Sequence, residues 1–151
     1  MDLIVGIGNE LRGDDGVGIR VVGSLPPRPG AEAIAVHQLT PELADRLHAA
    51  QRVLFVDAQI AGDAVRLLPL EPAAEAALLG HALSPEALLE WTRLVHGRAP
   101  EGWLLTVPAR AFPFGESLSP EAECAVPEAR RMALRWLGCS APHGGVLEED
   151  T

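Results

Sequence analysis

The hydrophobic pattern of this chain changes period again and again along its length, and few architectures accommodate that. Residues 3–8 form a short apolar run ending in glycines, and a polar turn leads to residues 17–25, where Val17, Val21, Val22 and Leu25 recur at helical spacing. The connector Pro26-Pro27-Arg28-Pro29-Gly30 cannot continue a helix, because proline lacks the N–H and its ring clashes with the preceding turn. Residues 31–36 alternate weakly. Thr40-Pro41-Glu42 then predicts a helix running to about Ala50, with Thr40 as N-cap and Pro41 at the first helical position. Residues 52–56 read as a second buried strand, with Asp57 directly after it. Residues 64–70 read as a short edge strand and 72–80 as weakly helical. Ser84-Pro85-Glu86 repeats the cap-and-proline signature and opens a helix with Leu88, Leu89, Trp91, Leu94 and Val95 on about one face. Residues 103–107 are a further strand. Ser119-Pro120-Glu121 starts a last helical region that reaches Leu137, interrupted or restarted at Pro127.

Strands that alternate with helices predict a three-layer α/β/α sandwich around a mostly parallel, doubly wound sheet of about five strands. A chain of 151 residues suffices for one such domain, assigned to residues 1–138, with 139–151 as a flexible C-terminal tail.

Composition narrows the chemistry. Twenty-one acidic against twelve basic residues leave a net charge of −9, which argues against nucleic acid or an anionic membrane surface as partner. The hydrophobic content of 48% excludes disorder, and no apolar run approaches the roughly 20 residues that span a bilayer. The first residues lack a basic region and a small-residue cleavage site, so the expected location is the cytoplasm. Cys124 and Cys139 form no CxxC motif and read as ordinary thiols. All twelve basic residues are arginine, so every mechanism that needs a lysine is excluded.

In doubly wound sheets, ligands bind outside the carboxyl ends of the strands, where the strand order reverses. With the order 2-1-3, the loops after the first and third strands adjoin there, and they carry Gly13-Asp14-Asp15-Gly16 and Asp57. Carboxylates converging from two loops repel each other unless a cation or proton lies between them. The plainer role for Asp14 or Asp15 is to cap the helix that begins near Val17, but capping explains only one of the residues. A third donor would be an imidazole. His48, His96 and His143 read as surface residues, whereas His37 and His81 are both possible rim positions, and spacing does not choose between them. Two carboxylates with one histidine and open coordination positions suit a borderline transition metal better than magnesium.

Other chemistries fit less well. The Gly6-Ile7-Gly8 turn is a partial dinucleotide fingerprint whose third glycine position is Leu11. A P-loop and a phosphoacceptor receiver site each need a lysine. A G-x-S-x-G nucleophile elbow is absent, and the serines lie mainly at cap positions.

Taken together, Gly6-Ile-Gly-Asn9-Glu-Leu-Arg-Gly13-Asp14-Asp15-Gly16-Val-Gly18, Val56-Asp57-Ala58, and His81 ahead of Ser84-Pro85 resemble the [NiFe]-hydrogenase maturation endopeptidase family, over residues 2–137. The first motif is specific in its spacing; the Asp57 and His81 signals are specific only in its company. The resemblance favours His81 over His37. It implies an endopeptidase that removes a C-terminal extension from the precursor of a hydrogenase large subunit after nickel insertion. Asp15, Asp57 and His81 match the family's metal-contacting positions, with a carboxylate such as Asp14 or Asp15 handling the proton. Nickel would arrive with the precursor and serve as the recognition signal, with no organic cofactor, and a monomer is expected. Some relatives carry Glu at the position of Asp15, so this chain has the shorter reach. Many carry an Asp-Gly-Gly-type turn where this chain has residues 37–42, a difference that bears on which precursor is accepted and keeps His37 open as an extra ligand. A non-catalytic nickel-binding chaperone or sensing module on the same fold is the alternative.

Overall fold

A computed structural model of the chain describes residues 1–60, 62–74, 83–110 and 117–138. Its five strands are β1 (Asp2–Ile7), β2 (Ala31–Val36), β3 (Arg52–Ile60), β4 (Arg66–Leu70) and β5 (Glu101–Ala109), and they form one sheet in the order β2-β1-β3-β5-β4. The pairs β1–β2, β1–β3 and β3–β5 are parallel, and β4 runs antiparallel along the outer edge of β5. The strand order therefore reverses between β1 and β3, as a doubly wound sheet requires.

Among the described residues, four helices cover the sheet: α1 (Val17–Gly23), α2 (Ala44–Leu47), α3 (Pro85–His96) and α4 (Pro120–Gly138). Strand residues alternate between faces, so each strand feeds two cores. Ile4, Leu54, Val56, Trp103, Leu105 and Val107 pack with α1 and α4 around the fully buried Trp136. Leu3, Val5, Val53 and Phe55 pack with Leu47, Leu88 and Leu89 on the opposite face. The result is the expected three-layer sandwich.

Local chemistry sets the element ends. The hydroxyl of Ser84 accepts the Ala87 N–H at 3.0 Å and caps α3, and Gly97 in the left-handed region closes it. Arg52 grips Asp2 through two hydrogen bonds of 3.1 and 2.6 Å, donates to the Trp136 carbonyl and lies 4.0 Å above the Trp136 ring, joining β1, β3 and α4.

Four expectations need correction. The helix expected from Pro41 to Ala50 is a three-residue 3₁₀ turn (Pro41–Leu43) followed by the four residues of α2. The chain leaves the helix after Leu47, and Arg98 takes up the carbonyls of His48 and Ala50. The last helix is continuous through Pro127, which lies on its exposed side, where water can serve the carbonyl that proline leaves unpaired. Asp57 is not beyond a strand end but within β3, which continues to Ile60. Residues 71–74 are not helical; the remainder of the predicted 72–80 segment and the tail from Cys139 lie outside the described residues.

Candidate functional site

The site is built on glycines. After β1, the chain bends back on itself through Asn9, whose side-chain oxygen accepts the Leu11 N–H at 2.9 Å, and enters a 3₁₀ turn, Gly13–Gly16, that leads directly into α1. A Cβ on Gly8, whose φ is +152°, would lie 1.9 Å from the Asp15 carbonyl oxygen. A Cβ on Gly18 would lie 2.5 Å from the Val56 carbonyl oxygen and 2.9 Å from that of Ile7. These contacts involve backbone atoms, which cannot swing away. The glycines thus let the turn and the start of α1 lie directly on the carboxyl ends of β1 and β3.

That approach places Asp15 near Asp57. The β1–β3 ladder ends at Gly6–Val56, whereas β3 and β5 stay paired as far as Ile60–Ala109, so Asp57 stands at the point where β3 outruns β1. By alternation Asp57 shares the face of Val53 and Phe55, the face covered by α2 and α3. The Leu83 N–H donates to the Leu39 carbonyl just past β2, which brings the start of α3 to this same end of the sheet.

The electrostatics follow from the geometry. Burial pushes the Asp57 carboxyl up to about 6; the Ala58 N–H, 2.8 Å from its Oδ1, works against this, and the charge of Asp15 adds to it. The Asp15 Oδ2 accepts the Asn9 N–H at 3.0 Å. One partly buried carboxylate held by a backbone amide thus faces a second whose proton affinity is raised into the neutral range. At Asp57 this arrangement favours the protonated form.

Asp14 points elsewhere. Its side chain is 1% exposed and accepts three hydrogen bonds: the Arg110 N–H at 2.7 Å, the Ser119 N–H at 2.6 Å and the Ser119 hydroxyl at 2.6 Å. Burial opposes its ionisation, but the donors of Ser119 and Arg110 outweigh it and hold the carboxyl below its ordinary range. The capping role expected of Asp14 or Asp15 toward α1 is not found, because the N-cap of α1 is Gly16 and has no side-chain cap. Asp14 instead holds Ser119, whose hydroxyl accepts the Ala122 N–H at 3.2 Å in the first turn of α4.

Among the histidines, His37 is exposed one residue beyond β2. His48 and His96 stack with their ring centroids 3.9 Å apart, and the Nε2 of His96 lies 3.1 Å from Asp45, so both belong to the α2–α3 contact. His81 and His143 lie outside the described residues, and no three His, Cys, Asp or Glu side chains among the described residues are grouped to hold a metal ion. Among the described residues, the site therefore consists of the two carboxylates Asp15 and Asp57.

Two features of the neighbourhood were not read from sequence. Ser119 was legible only as a helix cap, and its grip on Asp14 spans 105 residues. Thr106 lies opposite Asp57 in β5, and its hydroxyl is buried without a partner among the described residues. An open cleft of about 740 Å³, lined in part by Ile60, Ala109, Arg110, Glu121 and Glu128, flanks the ends of β3 and β5 beside α4 and contains neither Asp15 nor Asp57.

No family model and no curated protein sequence matches the chain. Solved structures do. The hydrogenase maturating endopeptidase HybD from E. coli is similar with a TM-score of 0.73 at 21% identity, covering 91% of this chain and 91% of that one. The [NiFe] hydrogenase maturation protease HybD from Thermococcus kodakarensis gives 0.68 at 22%, covering 89% and 97%. A hydrogenase 2 maturation peptidase from a Thaumarchaeota archaeon gives 0.64 at 25%, covering 91% and 97%. The chain has the fold of these maturation proteases over nearly its whole length, and the sequence motifs resemble the same family.

Proposed function

We propose that this chain is an endopeptidase of [NiFe]-hydrogenase maturation, which removes the C-terminal extension of a large-subunit precursor and uses the nickel already inserted there as its recognition signal. The observation that carries this reading is the meeting of Asp15 and Asp57 at the strand reversal of a maturation-protease fold. Two carboxylates held this close favour a cation, and they do not by themselves enclose one. A nickel ion presented by the substrate satisfies both conditions: Asp15 and Asp57 contact it from one side, the precursor holds it from the other, and His81 is the third contact implied by the family resemblance.

Hydrolysis needs a polarised carbonyl, a water and a group that handles its proton. Nickel in the precursor polarises the scissile carbonyl or the attacking water. An oxygen of Asp15 or Asp57 on the side away from the nickel takes the proton as the water oxygen bonds to the carbonyl carbon. The proton then passes to the leaving amine as the C–N bond breaks. No side-chain nucleophile is required; Cys124 is exposed on α4. The segment 37–42, exposed at His37, Gln38, Pro41 and Glu42, lies just beyond β2 on the crevice side and is suited to selecting among precursors.

The test is a variant carrying both Asp15→Asn and Asp57→Asn, which keeps side-chain volume and removes both charges. Cleavage of the nickel-loaded precursor is expected to disappear while the fold, followed by circular dichroism, is retained. Cleavage that survives in the double variant overturns both the recognition and the catalytic role. Retained binding of the loaded precursor by the wild-type protein, without cleavage, would mark it instead as a nickel-sensing chaperone.

A further inference from the structure

Asp14 and Asp15 are consecutive, yet their carboxylates serve different parts of the molecule. In a 3₁₀ turn successive side chains diverge by about 120°. Asp15 consequently reaches back to the Asn9 amide and toward Asp57, while Asp14 reaches across to β5 and α4. The two ends of the β5–α4 connection, Arg110 and Ser119, are thereby fastened to one side chain.

We propose that Asp14 is the positioning residue of the site: it locks the Gly13–Gly16 turn against the β5–α4 junction, and so fixes where Asp15 stands, without itself touching substrate. This rests on the peptidase reading for its kinetic consequence but not for its structural one. Three donors converge on the two oxygens of Asp14, and the residue is 1% exposed, so a water has little approach to it. The turn is held from two sides. On one side the Asp15 carbonyl occupies the space that any Cβ on Gly8 would need, and on the other the Ser119 hydroxyl is engaged twice, donating to Asp14 and accepting from Ala122. Neither α1 nor the turn has a side-chain cap of its own to hold it in register. Loosening the Asp14–Ser119 contact therefore releases Asp15 before it releases the sheet.

The Asn9 amide reports this directly, because it is bound by the Asp15 carboxylate. The experiment compares Ser119→Ala, Ser119→Thr and Asp14→Asn by amide hydrogen exchange and by kinetics on the nickel-loaded precursor. Ser119→Ala is expected to speed exchange at Asn9 by about 10–150-fold, the effect of losing one charge-assisted hydrogen bond. It is also expected to lower kcat by about 10–100-fold, as losses of orienting partners do, with KM nearly unchanged. Ser119→Thr restores both because it keeps the hydroxyl. Asp14→Asn serves as a second loosening variant, and if it fails to fold the serine pair still decides. Faster exchange confined to Ser119 and Ala122, with Asn9 unmoved, would reduce Asp14 to an anchor for α4 and overturn the proposal. A wild-type protein that does not cleave the precursor defeats the peptidase reading, whereas the Asn9 exchange still decides the positioning role.

Discussion

Two glycines of α1 make a matched test of how the site is assembled. Gly18 and Gly23 share one seven-residue helix, and replacing either with alanine brings the same gain in helix preference, about 0.5–1 kcal/mol. Their surroundings differ completely. A Cβ at Gly23 meets nothing within 4 Å, whereas at Gly18 it would stand 2.5 Å from the Val56 carbonyl oxygen and 2.9 Å from that of Ile7. Forcing a methyl into a packed contact costs about 1–3 kcal/mol, and here the obstacles are backbone atoms of two central strands. After the helix gain is subtracted, Gly18→Ala is expected to lose up to about 2.5 kcal/mol, and Gly23→Ala to gain about 0.5–1 kcal/mol. For a domain of this size each kcal/mol moves the melting temperature by about 2–4 °C, giving a fall of up to about 10 °C against a rise of about 1–4 °C. Thermal unfolding followed by circular dichroism, on both variants in one buffer, measures the difference. Because the displaced helix carries the turn that bears Asp15, Gly18→Ala should also lose activity while Gly23→Ala keeps it. Equal melting temperatures for the two variants would refute the close approach of α1 to the strand ends, and with it the placement of Asp15 over Asp57.

Further predictions follow from the same contacts. Asp57 is protonated more readily in the folded than in the unfolded protein, so wild-type stability falls as pH rises from about 4 through the folded value of about 6; Asp57→Asn removes this loss. The shift of about two units corresponds to at most about 3 kcal/mol, so in urea unfolding the variant should gain on wild type above pH 7 and show no gain below pH 4. Ser84→Ala removes the α3 cap and should cost about 1 kcal/mol in the same assay. Arg52→Gln breaks the two-pronged contact with Asp2 and the bond to the Trp136 carbonyl, with an expected loss of about 2–3 kcal/mol; a cycle with Asp2→Asn should show the two losses overlapping rather than adding.

The layered fold was legible because its signals are local. Buried runs such as residues 52–56 and the Ser84-Pro85-Glu86 cap announce themselves within a few residues, and their alternation leaves little choice of architecture. Where tertiary packing overrode local preference, the reading failed. The helix expected after Pro41 gives way after Leu47 to a turn whose His48 and Ala50 carbonyls are taken by the distant Arg98, and α4 tolerates Pro127 because that side faces water. At the site, the convergence of Asp15 and Asp57 was readable from topology, since strand order decides which loops adjoin. The divergence of Asp14 from Asp15 was not. A pair of adjacent aspartates looks alike in sequence, and only the three-residue repeat of the turn and the distant Ser119 distinguish them. The buried hydroxyl of Thr106 beside Asp57 likewise depends on strand register, which composition does not reveal.

The central claim, that this chain shortens a hydrogenase large-subunit precursor on the signal of its nickel, is tested most directly by mass spectrometry. The purified protein is mixed with nickel-loaded and with nickel-free precursor, and the intact mass of each is followed. Loss of a C-terminal peptide from the loaded form alone is the predicted result. An unchanged mass for both forms would contradict the peptidase assignment, and shortening of both would contradict the role of nickel as the signal that Asp15 and Asp57 read.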